Sequence, residues 1–206
     1  MSNTINLLAL DSSTDACSVA VFANGKVEER FEQLSRSHSR LLLPMIDSLL
    51  KELGISIADI TAFAFGRGPG SFTGIRIACS VIQALGYGLS KPIIPVSTLR
   101  AMAEGAYQAL RHTRVCAKLD ARLQETYWGL YTLGIDGIME ASGEEHLSST
   151  EEIVFPTGDW VTTTELPHAK DIARIAVIEY QRGVGLPAEA VFPIYLREEV
   201  VKKTSS

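Results

Sequence analysis

The sequence predicts an α/β protein of two lobes, each a mixed sheet with helices. Three observations predict it. Over the first hundred residues, short apolar runs and amphipathic stretches follow the order β-β-β-α-β-α-β, that of a mixed sheet carrying helices. The segments LALDSSTDACSVAVF and AKLDARLQETYWGLY share one plan of strand, aspartate, turn and strand, with equal spacing from Asp11 to Ser18 and from Asp120 to Tyr127. An internal repeat of this kind points to duplication of one lobe. The stretch 66–89 joins a strand to a long helix through Gly66, Gly68, Pro69 and Gly70, residues suited to positive φ and tight turns.

Each element has a local reason. Residues 5–10 are a first strand ending at Asp11, 12–15 a turn and 18–22 a second strand. Asn24-Gly25 is a strong hairpin signal ahead of a third strand at 27–31. Residues 37–53 read as a helix striped by Leu42, Met45, Ile46, Leu49 and Leu53, and widened by Leu43 and Leu50. Pro44 marks its first turn or bends it, and Gly54 ends it. A strand at 59–65 runs into the glycine loop, Ser71 caps the next helix, and that helix continues to Leu89. A strand at 91–96 and a helix at 97–110 follow, then strands at 115–119 and 127–133 and a turn at 134–137. Residues 148–154 read as a helix start, 160–161 as a short strand, 169–180 as an amphipathic helix ending near Gly183, and 193–197 as extended. The tail with Lys202 and Lys203 reads as solvated. The first lobe is therefore expected at 1–100, with 188–206 packing back on it, and the smaller second lobe at 101–187.

The helix after the glycine loop is apolar nearly all round. Arg76 is its one charge, and Thr73, Ser80 and Gln83 make a thin polar stripe. A core helix is the simple reading. Because the helix at 37–53 shows a similar excess of apolar surface, a shared interface is favoured, with one sheet covering one side and a partner the other. The expected interface comprises Leu42, Met45, Ile46, Leu49, Phe72, Gly74, Ile75, Ala78, Val81, Ile82 and Leu85. Small residues including Ala84 and Gly88 would let a second backbone come close.

The net charge of −5 argues against nucleic-acid binding through the chain's own surface. No apolar run reads as a membrane span, and the N-terminus lacks the pattern of a secretory signal. Cys17, Cys79 and Cys116, an odd number without CxxC spacing, read as reduced, buried thiols of a cytoplasmic protein.

The segments LDSSTDACSVAVF, GRGPGSFTGIRIA, PVSTLRAMAEGA, DARLQETYWGLY and PIYLR resemble, in order along nearly the whole chain, the bacterial TsaB (YeaZ) family. The resemblance implies the two-lobed fold of actin, hexokinase and Hsp70. It also implies a role in forming N6-threonylcarbamoyladenosine (t6A) at position 37 of tRNA. In that family the protein is not the transferase but a partner of the paralogue TsaD, joined by the ATPase TsaE. TsaD binds metal through two histidines on the helix after PV, and here the matching positions hold Thr98 and Met102, neither of which replaces an imidazole. The stretch between Trp160 and Asp171 is shorter than the family pattern.

Site chemistry yields two further readings. Asp11 and Asp120, with Ser13 and Thr14, would line a vestigial nucleotide cleft, since acidic residues at such strand ends can position Mg²⁺ and water around phosphates. The alternative is that each aspartate caps its own turn. The glycine loop is neither a Walker A nor a G-x-G-x-x-G motif. The histidines His38, His112, His146 and His168 show no paired spacing. The expectation is thus a non-catalytic partner of TsaD and TsaE, homodimeric in isolation and reaching tRNA only through the complex. No cofactor or metal of its own is expected, with ATP or ADP only at a joint site with TsaD. A stand-alone phosphotransferase is the alternative, and a glycoprotease-like metallopeptidase stands behind it.

Overall fold

The structure is a computed structural model and describes residues 4–33, 38–153 and 157–197, with the side chains of 38 and 39 set aside. Two five-stranded mixed sheets organise it. The first is ordered β3-β2-β1-β4-β5, from β1 (Leu7–Asp11), β2 (Ala16–Ala23), β3 (Lys26–Gln33), β4 (Ala62–Gly66) and β5 (Ile93–Val96). In it β1 runs antiparallel to β2 and parallel to β4. The Asn24-Gly25 turn is as expected, with φ of 51° and 76°, the pair of positive values a type I′ hairpin turn requires.

The second sheet repeats this plan. β6 (Arg114–Arg122) runs antiparallel to β7 (Glu125–Leu133) and parallel to β10 (Val161–Thr163). β8 (Met139–Ala141) and β9 (His146–Ser149) both pair with β7. The repeat legible in two short segments is thus a repeat of topology.

Alternation along the strands divides the first sheet's side chains between two cores. Leu8 and Leu10 face α1 (His38–Leu53) and α2 (Phe72–Leu89), while Leu7 and Ala9 face α4 (Ala169–Gln181). α3 (Thr98–Leu110) covers the second sheet through Leu99, Met102 and Ala103. Although sequence order would group α4 with the second lobe, its Ala169, Ile172, Ala173 and Ala176 lie on the first sheet. Residues 185–194 also return to the first lobe: Ile93 and Leu186 exchange backbone hydrogen bonds of 2.8 and 2.9 Å.

Other boundaries differ from expectation. Residue 37 lies outside the described residues, as do 154 and the tail 198–206. Where a helix start was expected at 148–154, β9 pairs with β7 and a short 3-10 turn spans Thr150–Glu152. Pro44 lies well inside α1 with its ring exposed, so its missing N–H falls on the solvent side. α2 corrects the statement that no run could span a membrane: it has 18 residues of sufficient hydropathy, about 27 Å at 1.5 Å per residue. Its packing seats it instead, because Ile75, Ala78, Cys79 and Ile82 are buried in the subunit's own core.

Candidate functional site

The loop before α2 rests on the turn after β1. Ser71 caps α2, its hydroxyl accepting from the Gly74 N–H at 3.3 Å, as its position predicted. The Ser71 N–H donates to the Ser13 carbonyl at 2.6 Å, and the Ser12 hydroxyl donates to the Gly74 carbonyl at 2.8 Å. Gly74 is required by this approach, since a methyl group there would overlap the Ser12 carbonyl oxygen.

Asp11 is enclosed by the same turn. Its carboxylate accepts from the Ser13 N–H and hydroxyl, both at 2.9 Å, and Thr98 donates to that hydroxyl at 3.2 Å. Burial pushes its pKa up from 3.8 to about 6, against the opposing pull of the Ser13 hydrogen bonds. The expectation that Asp11 faces a cleft is corrected. It is 1% exposed and caps its own turn.

A cleft of about 260 Å³ does lie between the lobes, and Ser13, Thr14, Ser71, Asp120 and Arg122 are among the residues lining it. Asp120 accepts from the Arg122 N–H at 2.8 Å, and the Arg122 guanidinium lies 3.4 Å from Asp120 and 3.3 Å from Asp15. Three of the four expected cleft residues therefore meet, but the two aspartates do not converge. A guanidinium that sequence reasoning overlooked sits between Asp120 and the first lobe. It is held by a turn whose Arg122, Leu123 and Gln124 all have positive φ, at 65°, 56° and 61°, an unusual run for residues other than glycine. That turn carried no glycine to announce it.

Of the remaining candidates, Thr98, Met102, His146 and His168 pack against neighbours within the subunit, His112 is exposed, and the His38 side chain lies outside the described residues. Thr98 and Met102 are buried. His168 stacks on Phe31 at 4.3 Å and contacts Glu29 at 2.9 Å, and His146 packs on Trp128 at 4.6 Å. Among the described residues, no three of histidine, cysteine, aspartate and glutamate are grouped to hold a metal. The three cysteines are free and buried, and burial pushes the Cys17 thiol up to about 12.

The expected interface residues divide by helical phase. Leu42, Met45, Ile46, Leu49, Gly74, Ile75, Ala78 and Ile82 are buried within the subunit and present no surface. Val81 and Leu85 are half-buried and Phe72 is exposed. The open side of α2 instead carries Thr73, Arg76, Ser80, Ala84, Tyr87 and Gly88. The sequence signal for this face was Arg76 together with Thr73 and Ser80 of the thin polar stripe, whereas the stripe's third member, Gln83, turns inward and donates to the Ala188 and Val191 carbonyls at 3.2 and 2.8 Å.

Comparison with known proteins places this geometry in a family. The family model "TsaD: tRNA N6-adenosine threonylcarbamoyltransferase" matches residues 31–189. The tRNA threonylcarbamoyladenosine biosynthesis protein TsaB of Escherichia coli K12 is 37% identical, with 97% of each chain covered. The TsaB of Haemophilus influenzae is 34% identical, covering 97% of this chain and 96% of the relative. The first alignment runs over 231 positions, more than this chain has residues, so the relative carries segments that this chain lacks. The solved structure of YeaZ from Pseudomonas aeruginosa superposes with a TM-score of 0.89 at 39% identity, covering 93% of this chain and all of that one. By sequence and fold together, the chain belongs to the TsaB (YeaZ) family.

Proposed function

We propose that this chain is a non-catalytic subunit of tRNA t6A biosynthesis that works by docking the paralogue TsaD, with TsaE joining the pair and tRNA reached through the complex. The same surface serves a homodimer when TsaD is absent. One observation carries this reading. From Ile77 to Leu89 the helix has no charged residue, and its open face bears Ser80, Ala84 and Gly88 at four-residue spacing. Nothing lies within 4 Å of where a Gly88 side chain would be. A helical glycine costs up to ~1 kcal/mol relative to alanine. Gly88 meets no close neighbour in its own subunit, whereas a second helix backbone approaching closely would make use of it.

The buried Asp11 and the Arg122-paired Asp120 favour a structural use of both aspartates over the phosphotransferase reading. At the metal-binding positions of TsaD, Thr98 and Met102 offer no imidazole and fill the core instead. Reconstituting tRNA modification from purified components tests the role. Product should form only when this chain is present, and an Asp11→Asn, Asp120→Ala double variant that remains folded should support it as well as the native chain. Loss of activity in that folded variant would return the case to catalysis in the cleft.

A further inference from the structure

A second cavity, of about 210 Å³, lies between the lobes beyond the carboxyl ends of β4 and β5, the end at which open α/β sheets bind ligands. Arg67, Ser97, Arg100, Tyr131, Glu145 and Glu179 are among its walls. Backbone bonds fix its first wall. The Arg67 N–H donates to the Val96 carbonyl, and the Arg67 carbonyl accepts from the Ile194 N–H, both at 2.8 Å.

Most of the charges around this cavity are engaged with one another. Arg100 lies 2.7 Å from Glu140 and 2.8 Å from Glu179, and its Nε donates to the Met139 carbonyl at 2.6 Å. Arg182 contacts the same two carboxylates at 2.8 and 3.3 Å. Two groups are exceptions. Glu145 Oε1 accepts from the Tyr131 hydroxyl at 2.5 Å and from the Ser97 hydroxyl, yet no cation among the described residues pairs with it. Burial and the neighbouring Glu145 push the Tyr131 pKa up, so that hydroxyl stays a donor. Arg67 is the converse. Its buried Nε has no protein partner among the described residues, an arrangement that is costly and uncommon in folded proteins.

One unengaged cation and one carboxylate without a cation thus line the same small space without meeting each other. We propose that this cavity binds a small zwitterion of the α-amino acid class, its carboxylate on the Arg67 guanidinium and its ammonium on Glu145. The planar fork of a guanidinium matches a carboxylate, and an ammonium is the counter-ion that Glu145 lacks. A phosphate would meet Glu145 with like charge, and a simple cation would meet Arg67, so the pair selects a ligand bearing both signs. A space of about 210 Å³ admits an amino acid with a small side chain. This site is separate from the α2 face and independent of the docking role.

Isothermal titration calorimetry of the full chain tests it, with glycine, L-alanine, L-serine and L-threonine as probes. Propionate and ethylamine serve as the two single-charge halves, and inorganic phosphate as the anion control. The expected result is saturable one-to-one binding of at least one amino acid, with each half binding at least about tenfold more weakly. Arg67→Gln and Glu145→Gln should each weaken that binding about tenfold or more, the scale of one lost charge-assisted hydrogen bond. Should a variant fail to fold, comparison of the halves with the whole amino acid on the native chain still decides the matter. No saturable binding of any amino acid would overturn the proposal. So would propionate or phosphate binding as tightly as the amino acid, or binding unchanged in both folded variants.

Discussion

The two sides of α2 both carry small residues and differ in what those residues answer to. On the inner side Ile75, Ala78, Cys79 and Ile82 are at most 3% exposed, and Gly74 is glycine because the Ser12 carbonyl leaves no room for a methyl group. On the outer side Ser80, Ala84 and Gly88 are small and exposed, and open space surrounds the Gly88 position. Smallness inside serves the subunit's own close packing. Outside it serves nothing in the subunit, and so it speaks for a second backbone.

Substitutions can break that contrast. The largest effect belongs to Ala78→Arg. A charge forced into a fully buried position should cost on the order of 4 kcal/mol or more, enough to unfold a marginal domain, and circular dichroism would show it. Next is Asp11→Asn, at the turn on which the start of α2 rests. The Asp11 pKa is about 6 in the fold against 3.8 as the reference. Its stabilising protonation is therefore fully present below pH 4 and lost as pH rises through 6, a swing of about 3 kcal/mol at 1.36 kcal/mol per unit. Asp171, also pushed up to about 6 by burial, acts in the same direction, while Glu29, held low by His168 and Lys170 against the opposing effect of burial, acts in the other. Urea melts of the native chain and the Asn variant between pH 4 and 7.5 should differ in slope by roughly the Asp11 share. Gly74→Ala should cost about 1–3 kcal/mol, the range for overpacking, read as a lowered urea midpoint. The smallest effect is at Gly88→Ala, which should leave the isolated chain equally stable or up to ~1 kcal/mol more stable while weakening partner docking.

Much of this was legible because local chemistry decided it. Asn24-Gly25 fixed the first hairpin, Ser71 and Ser97 capped their helices, and the paired strand-aspartate-turn segments announced the second lobe. What stayed hidden depended on contacts distant in the chain. Choosing the apolar stripe of α1 and the apolar and small residues of α2 as an interface selected mostly the side that the sheet had already claimed, because the core competes for the same residues. The outward face was marked by Thr73, Arg76 and Ser80, which that reading named as the polar side of the helix and left out of the interface. Asp11 and Asp120 look alike in sequence, but Gly66 leaves space for the Asp11 carboxylate to turn inward, while Asp120 faces solvent beside Arg122. The helix expected at 148–154 yielded to pairing of β9 with β7, a partner some twenty residues earlier. The unengaged Arg67 could not be found from spacing at all, since its isolation is a property of where its neighbours' charges go.

The central claim, that the outer side of α2 exists for a partner, is tested most directly by Ala84→Arg. Multi-angle light scattering after size-exclusion chromatography, on the variant alone and mixed with TsaD, is the measurement. The account predicts a folded monomer, within about 0.5 kcal/mol of native stability, that no longer co-elutes with TsaD. A variant that still dimerises and still carries TsaD through the column would contradict it.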